Sequence, residues 1–271
     1  MAVCPVIMGR DAGNLDFSAA SNYWRCHISD YFPAETLYWF KKTLQDGSIL
    51  RTVRYAEPTP GLIIWHAWYD PRCFSFLDAQ TQEALRIAGL ENAPIRRQAE
   101  YWAGRSLMML ALGLQTPPGR MLSGAPHLPD GVSGSLSHSS DNILLLLGPE
   151  GVYAGADIER RLKPVGLQSV ISRVATPVEQ CWLHSLTASR QQICATVLFS
   201  AKETLFKALC TKTNINPDYM DVEALTPPQH GILSFRLNRN LGSGLGSNQC
   251  FKLRYAQMND FVLTWLCQSS I

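Results

Sequence analysis

The sequence predicts a mixed α/β (α+β) chain folded as two lobes, and three observations predict it. The length, 271 residues, is enough for two lobes of roughly 100–150 residues each. Each half mixes strand-like apolar runs with one or two long helical patterns. Between the halves lies a Pro- and Gly-rich stretch, "QTPPGRMLSGAPHLPDGVSG" at 115–134, which reads as a loop or linker. The boundary is therefore expected near 115–140, with lobes at 1–130 and 131–271.

The first 50 residues carry the weakest pattern, and no chemistry is found in them. There "YFPAETLYWFKKTL" reads as a short helix after Pro33, its Tyr, Trp and Phe being packing residues. Residues 62–69, "LIIWHAWY", read as a buried strand ended by Asp70-Pro71, with His66 a satisfied interior residue. "LDAQTQEALRIAGL" reads as a helix with Asp78 as N-cap and Gly89 as its stop. A second helix follows Pro94, where Ala99, Trp102, Ala103, Leu107 and Leu110 recur at helical spacing and Gly113 ends it. Its Arg97 and Arg105, about 80° apart beyond two full turns, lie on neighbouring faces.

Ile143–Leu147 and Val152–Ile158 are strand-like, and the turn signal Gly148-Pro149-Glu150-Gly151 between them predicts a β-hairpin. Thr176, Pro177 and Glu179 form a capping box with Pro at the first helical position. A longer helix covers 189–210, with Ile193, Val197, Ala201, Leu205 and Ala208 as one apolar stripe. Strands are expected at 231–237, 251–257 and 261–266. The intervening "LGSGLGSN" reads as a turn, because it lacks the Lys and the strand-to-helix context of a phosphate-binding loop.

Charge excludes one class of function. With 24 basic and 22 acidic residues the net charge is +2, too small to argue for a nucleic-acid protein, so any phosphate-handling surface is local. The eight cysteines include no C-x-x-C pair and no zinc spacing. No signal peptide is evident, and no apolar run approaches the roughly 20 residues of a membrane span, so a reducing, cytoplasmic setting is expected.

Three short segments carry chemistry. In "GADIER", alternation puts Tyr153, Gly155, Asp157 and Glu159 on one strand face, and Val152, Ala154, Ala156 and Ile158 on the other. Two carboxylates so close repel unless a cation sits between them, and Mg²⁺ with substrate phosphates suits such a pair; the alternative is a solvated strand end. Gly155 would leave open space beside them. In "FSAKETLFKAL", Lys202, Glu203 and Lys207 share a region away from the apolar stripe. Glu203 and Lys207 are either a surface i,i+4 ion pair or a third carboxylate with ammonium groups beside it for phosphate oxygens. Ser200 to Glu203 also fits a capping box, which would break the helix. In "GSLSH", Gly134, Ser135 and Ser137 would let backbone N–H groups approach an anion, and His138 adds a donor.

Together, these segments resemble the 4′-phosphopantetheinyl transferases of the surfactin-synthetase type, and within them the enterobactin synthetase component D branch. The family pattern G-[IV]-D-[IL]-E followed by [WF]-[ST]-x-K-E-[SA]-x-x-K appears here as Gly155–Glu159 and Phe199–Lys207. "RRQAEYWAGR" at 96–105 and "GSLSH" at 134–138 match the branch's upstream marks. The resemblance covers roughly 94–210; Ala156, Thr204 and His127-Leu128-Pro129 depart from the usual residues.

The resemblance implies a pseudo-dimer of two similar α/β lobes with coenzyme A held between them. It implies transfer of the phosphopantetheine arm to a serine of an apo carrier protein, releasing 3′,5′-ADP. The implied partners are carrier domains of nonribosomal peptide, siderophore or fatty-acid/polyketide synthases, with no nucleic acid, no membrane insertion and a monomeric state. Mg²⁺ would be held by Asp157, Glu159 and Glu203. Arg97, Arg105, Ser137, His138, Lys202 and Lys207 would bind the coenzyme. Asp157, Glu203 and Lys207 are the catalytic candidates, with Glu203, Glu179 or a metal-bound water taking the serine proton. Arg160, Arg161, Lys163 and Lys212 are candidates for docking an acidic carrier.

Overall fold

A computed structural model describes residues 24–25, 37–42, 44, 48–74, 78–121, 124–242 and 244–269. These divide after Glu150 into two units, 24–25 with 37–150, and 151–269. The division falls 20 residues beyond the expected one at 130. The cause is strand pairing: the segment after the Pro/Gly-rich loop adds two strands to the first sheet rather than opening the second.

The first unit is an antiparallel sheet with strand order β1-β2-β3-β4-β6-β5. Its strands are β1 (Trp24–Arg25), β2 (Tyr38–Lys42), β3 (Leu50–Thr59), β4 (Leu62–Tyr69), β5 (Val132–Ser139) and β6 (Asn142–Pro149). β2 replaces part of the helix expected after Pro33; residues 34–36 and 43 of that stretch lie outside the described residues. The strand is fixed by its neighbours: buried Trp39 points away from exposed Tyr38 and half-buried Phe40, and Phe40 pairs with and stacks on Tyr55 of β3. β5 and β6 join through Ser140-Asp141, with Ser140 at φ 55°, the left-handed start of a two-residue hairpin turn. "GSLSH" is thus itself strand.

Helix α1 (Ala79–Ile87) starts where Asp78 accepts the Thr81 N–H at 2.7 Å, as its capping pattern predicts. Helix α2 (Ile95–Leu112) ends at Gly113, φ 66°. Ala99, Ala103 and Leu107 of α2 pack on Trp65, Ala67 and Leu145 of the sheet. His66 lies in β4 and is 4% exposed. Its Nδ1 accepts from Arg54 Nε at 3.2 Å, and its Nε2 meets Asn142 Oδ1 at 2.9 Å.

The second unit is a five-stranded antiparallel sheet, order β7-β11-β10-β9-β8. Its strands are β7 (Val152–Arg160), β8 (Val222–Ala224), β9 (Ile232–Leu237), β10 (Cys250–Met258) and β11 (Phe261–Ser269). β7 pairs along its length with β11, not with β6. The expected hairpin is therefore absent: Gly148–Gly151 carries the chain from one sheet to the other. A turn signal reports a change of direction, and an apolar run fits any partner strand.

Helices α3 (Leu167–Val174), α4 (Pro177–His184) and α5 (Ala188–Thr213) complete this unit. The capping box of α4 is formed as predicted. α3 escaped the pattern because it opens on Gly166 without a side-chain cap. On α5, Val197, Ala201, Leu205 and Ala208 pack into a core with Tyr153, Phe235, Leu253 and Leu266. Among the described residues, no helix is long and apolar enough to cross a membrane.

Candidate functional site

The acid-bearing face of β7 is turned onto α5. Gly155 marks the contact: a Cβ there would lie 2.1 Å from the Thr204 carbonyl and 3.0 Å from Ala208 Cβ. The expected open space is instead the closest approach of helix to strand, which only glycine permits. This approach sets Asp157, two residues on, against the helix, where it is only 5% exposed. Lys207 Nζ reaches Asp157 Oδ1 at 2.7 Å and the Ala156 carbonyl at 3.3 Å. Ser200 Oγ donates to Asp157 Oδ2 at 2.7 Å. Glu159, further along the same face, is half-buried and accepts the Arg160 backbone N–H at 3.0 Å.

Glu203 sits between Ser200 and Lys207 on α5. At about 100° per residue, it projects about 60° from Ser200 and about 40° from Lys207. Since both neighbours bond Asp157, Glu203 projects from the same side of α5 that faces the strand acid. Tyr219 donates its phenol proton to Glu203 Oε1, and its ring packs on Phe206 and Phe199 at 5.2 and 6.3 Å. Burial, then the bonded Glu203 carboxylate, push the Tyr219 phenol above its ordinary range, so it remains a donor at neutral pH.

Lys202 behaves differently from the two residues it was grouped with. It lies about 100° around the helix from Glu203, and its side chain has 0% exposure. Its ammonium donates to Glu179 Oε2 at 2.7 Å and to the carbonyls of Val174, Tyr219 and Val222 at 2.9, 2.8 and 3.1 Å. Glu179, also fully buried, accepts from the backbone N–H groups of Thr176 at 2.7 Å and Ala224 at 2.6 Å. Burial pushes Glu179 up and Lys202 down, and each is opposed by the partner's charge. This pair ties α4, α5 and β8 together. It corrects two expectations: Lys202 does not present its charge to a coenzyme, and Glu179 is fully buried with both oxygens hydrogen-bonded, away from any substrate proton.

Among the described residues, no group of three or more His, Cys, Asp and Glu side chains is gathered closely enough to hold a metal ion. Asp157 is engaged by Lys207 and Ser200, and Glu203 by Tyr219. The donor set nevertheless fits a hard divalent cation in kind: carboxylates alone, from one strand face and the helix packed on it.

In the first unit, Arg97 and Glu100 of α2 pair with each other, and His138 Nε2 of β5 lies 3.0 Å from Glu100 Oε1 and 3.4 Å from Arg97 Nη1. Both basic groups are well exposed, at 45% and 43%. Ser137 is buried on the opposite face of β5, and so is not brought to this cluster. Arg105 is 3% exposed. Its guanidinium bonds the Gly119 carbonyl at 3.3 Å and lies 4.6 Å from the Tyr101 ring centroid, while Nε has no hydrogen-bond partner among the described residues. Two residues at the acid site, Tyr219 and Thr264, were not expected from sequence. Nothing local marks Tyr219; Thr264 could have been noticed as a polar residue inside the apolar run "FVLTWL".

Comparison with known proteins agrees with this arrangement. The 4′-phosphopantetheinyl transferase superfamily model matches residues 153–265, and the 4′-phosphopantetheinyl transferase N-terminal domain model matches 82–147. The boundary between the two matches falls where the two units divide. The 4′-phosphopantetheinyl transferase Svp of Streptomyces mobaraensis is 33% identical over 165 residues, 58% of this chain and 64% of that protein. Enterobactin synthase component D of Salmonella typhimurium is 29% identical over 129 residues, 46% of this chain and 54% of that protein. The matches thus span less than two thirds of either relative. With both units matched in order and the strand and helix motifs brought together, the chain belongs to the 4′-phosphopantetheinyl transferase superfamily.

Proposed function

We propose that this protein transfers the 4′-phosphopantetheine arm of coenzyme A to a serine of an apo carrier protein and releases 3′,5′-ADP. The observation that carries the reading is the Asp157–Lys207 contact, which joins an acid and an ammonium from the two family motifs. Asp157, Glu159 and Glu203 are the residues that would hold Mg²⁺. When bound, that ion would offset the charge of the pyrophosphate and polarise the phosphorus under attack.

The remaining chemistry belongs to the side chains. Lys207, 31% exposed, presents an ammonium to the phosphates and to the charge that develops on the departing one. Glu203 accepts the serine proton, with Tyr219 holding its carboxylate in place. Arg97 and His138 bind a phosphate group of the coenzyme, with Glu100 fixing their orientation. The enterobactin-related likeness favours a carrier of siderophore or other nonribosomal peptide synthesis, modified by a monomer in the cytoplasm. Arg160 and Arg161, directly after the acid strand, are the proposed contacts for an acidic carrier.

The test is incubation with coenzyme A, Mg²⁺ and a panel of apo carrier domains, read by intact mass. A gain of one phosphopantetheine on the acceptor serine, with 3′,5′-ADP in solution, is the expected result. Free phosphopantetheine formed equally with and without carrier would instead identify a pyrophosphate hydrolase.

A further inference from the structure

Asp157 is held on its second oxygen by a buried chain of hydroxyls from two elements. Ser200 Oγ donates to Asp157 Oδ2 at 2.7 Å. Ser200 Oγ lies 2.9 Å from Thr264 Oγ1, and Thr264 Oγ1 lies 2.6 Å from Thr204 Oγ1. Ser200, Thr204 and Thr264 all have 0% exposure, so water does not complete these bonds. Thr264 enters from β11, directly across the ladder from Asp157. Cross-strand partners project to the same face, which is why this threonine reaches the helix residues that flank the acid.

Counting protons gives the chain a direction. Each hydroxyl has one proton to donate, and an ionised carboxylate only accepts. Ser200 therefore spends its proton on Asp157, and the Ser200–Thr264 bond must be donated by Thr264. The Thr264–Thr204 bond must then be donated by Thr204. The sequence Thr204 to Thr264 to Ser200 to Asp157 uses every proton once and ends on the carboxylate. Polarisation along such a chain strengthens each bond. The opposite oxygen, Oδ1, is the one that meets Lys207.

We propose that Thr264 and Ser200 are positioning residues that fix the plane of the Asp157 carboxylate and aim Oδ1 at the site where a divalent cation binds. The inference rests on the proposed metal role of Asp157. Partners that orient a ligand's carboxylate govern metal affinity without touching the metal. Thr264→Val removes the middle link and leaves Ser200 free to turn. It leaves no buried donor stranded, since Thr204 Oγ1 also has the Thr264 carbonyl at 3.2 Å. Fold and metal affinity should therefore separate in this variant.

The test measures Mn²⁺ binding by electron paramagnetic resonance, without carrier, alone and with coenzyme A, alongside thermal unfolding. The chain as it stands, Thr264→Val, Thr264→Ser and Ser200→Ala are compared. Thr264→Val and Ser200→Ala should weaken Mn²⁺ binding by about 10–100-fold while remaining folded. Thr264→Ser, which keeps the hydroxyl, should bind as the unaltered protein does. Unchanged binding in folded Thr264→Val and Ser200→Ala overturns the positioning role and leaves the metal reading intact. Equal losses in Thr264→Ser and Thr264→Val also overturn it, by assigning the effect to packing. Failure of the unaltered protein to bind Mn²⁺ in either condition overturns the metal reading itself. Should Thr264→Val not fold, Ser200→Ala decides.

Discussion

Replacing Lys202 by methionine should unfold the second unit far more readily than it should weaken coenzyme binding. The methionine fills most of the lysine's volume but removes an ammonium with four acceptors. Glu179 would keep its two backbone N–H donors and lose its counter-charge at zero exposure. Removing one partner of a buried pair costs about 3–5 kcal/mol, a large part of the about 5–15 kcal/mol that holds a typical domain together. With a urea slope near 3 kcal/mol/M, the midpoint should fall by about 1–2 M. Urea unfolding followed by circular dichroism measures it, and Glu179→Gln with Lys202→Met should cost less than the two single changes summed. If Lys202→Met unfolded at the unaltered urea concentration while the KM for coenzyme A rose, the ammonium would be reaching the coenzyme, and the scaffold assignment would fail.

Three further outcomes are expected. Burial, then the charge of Arg54, hold His66 down at about 3 against an ordinary 6.5. The unfolded chain thus binds more protons across that interval, so stability is lost as pH falls through it; His66→Gln should flatten this loss in acid-unfolding curves. Arg97→Ala and His138→Ala should weaken coenzyme A more than dephospho-coenzyme A in calorimetry if they hold the 3′-phosphate, and equal losses would move them to another phosphate or out of the site. Gly155→Ala puts a methyl 2.1 Å from a helix carbonyl, so it should destabilise by about 1–3 kcal/mol in denaturant unfolding; a neutral effect would mean that α5 does not press on β7 there.

What was legible in the sequence was what local physics controls. Asp78, Thr176-Pro177-Glu179 and Gly113 announce helix ends because capping acts over three or four residues, and all are found in place. The apolar stripe of α5 announces its packing face for the same reason. Partner choice was not legible: β6 and β7 flank a turn signal, yet one joins β5 and β4 and the other joins β11, more than 100 residues on. That unseen pairing also displaced the expected boundary between the units. At the candidate site, the strand alternation of Asp157 and Glu159 and the i,i+4 spacing of Glu203 and Lys207 were legible. Burial was not. Lys202 is adjacent to Glu203 in sequence but about 100° away on the helix, and only the elements packed there decide whether a lysine faces solvent or Glu179. Nothing in the segment of Tyr219 points to Glu203, and the one mark of Thr264, a polar residue in an apolar run, does not say that it meets Ser200 beside Asp157.

The central claim is that Asp157, with its helix partners, carries the transfer. Asp157→Ala, shown to be folded by circular dichroism and by an unchanged melting profile, should be assayed with coenzyme A, Mg²⁺ and an apo carrier that the unaltered protein modifies. The rate of mass gain on the carrier should fall by orders of magnitude, and raising Mg²⁺ should not restore it. Folded Asp157→Ala modifying the carrier at a near-normal rate would contradict the account.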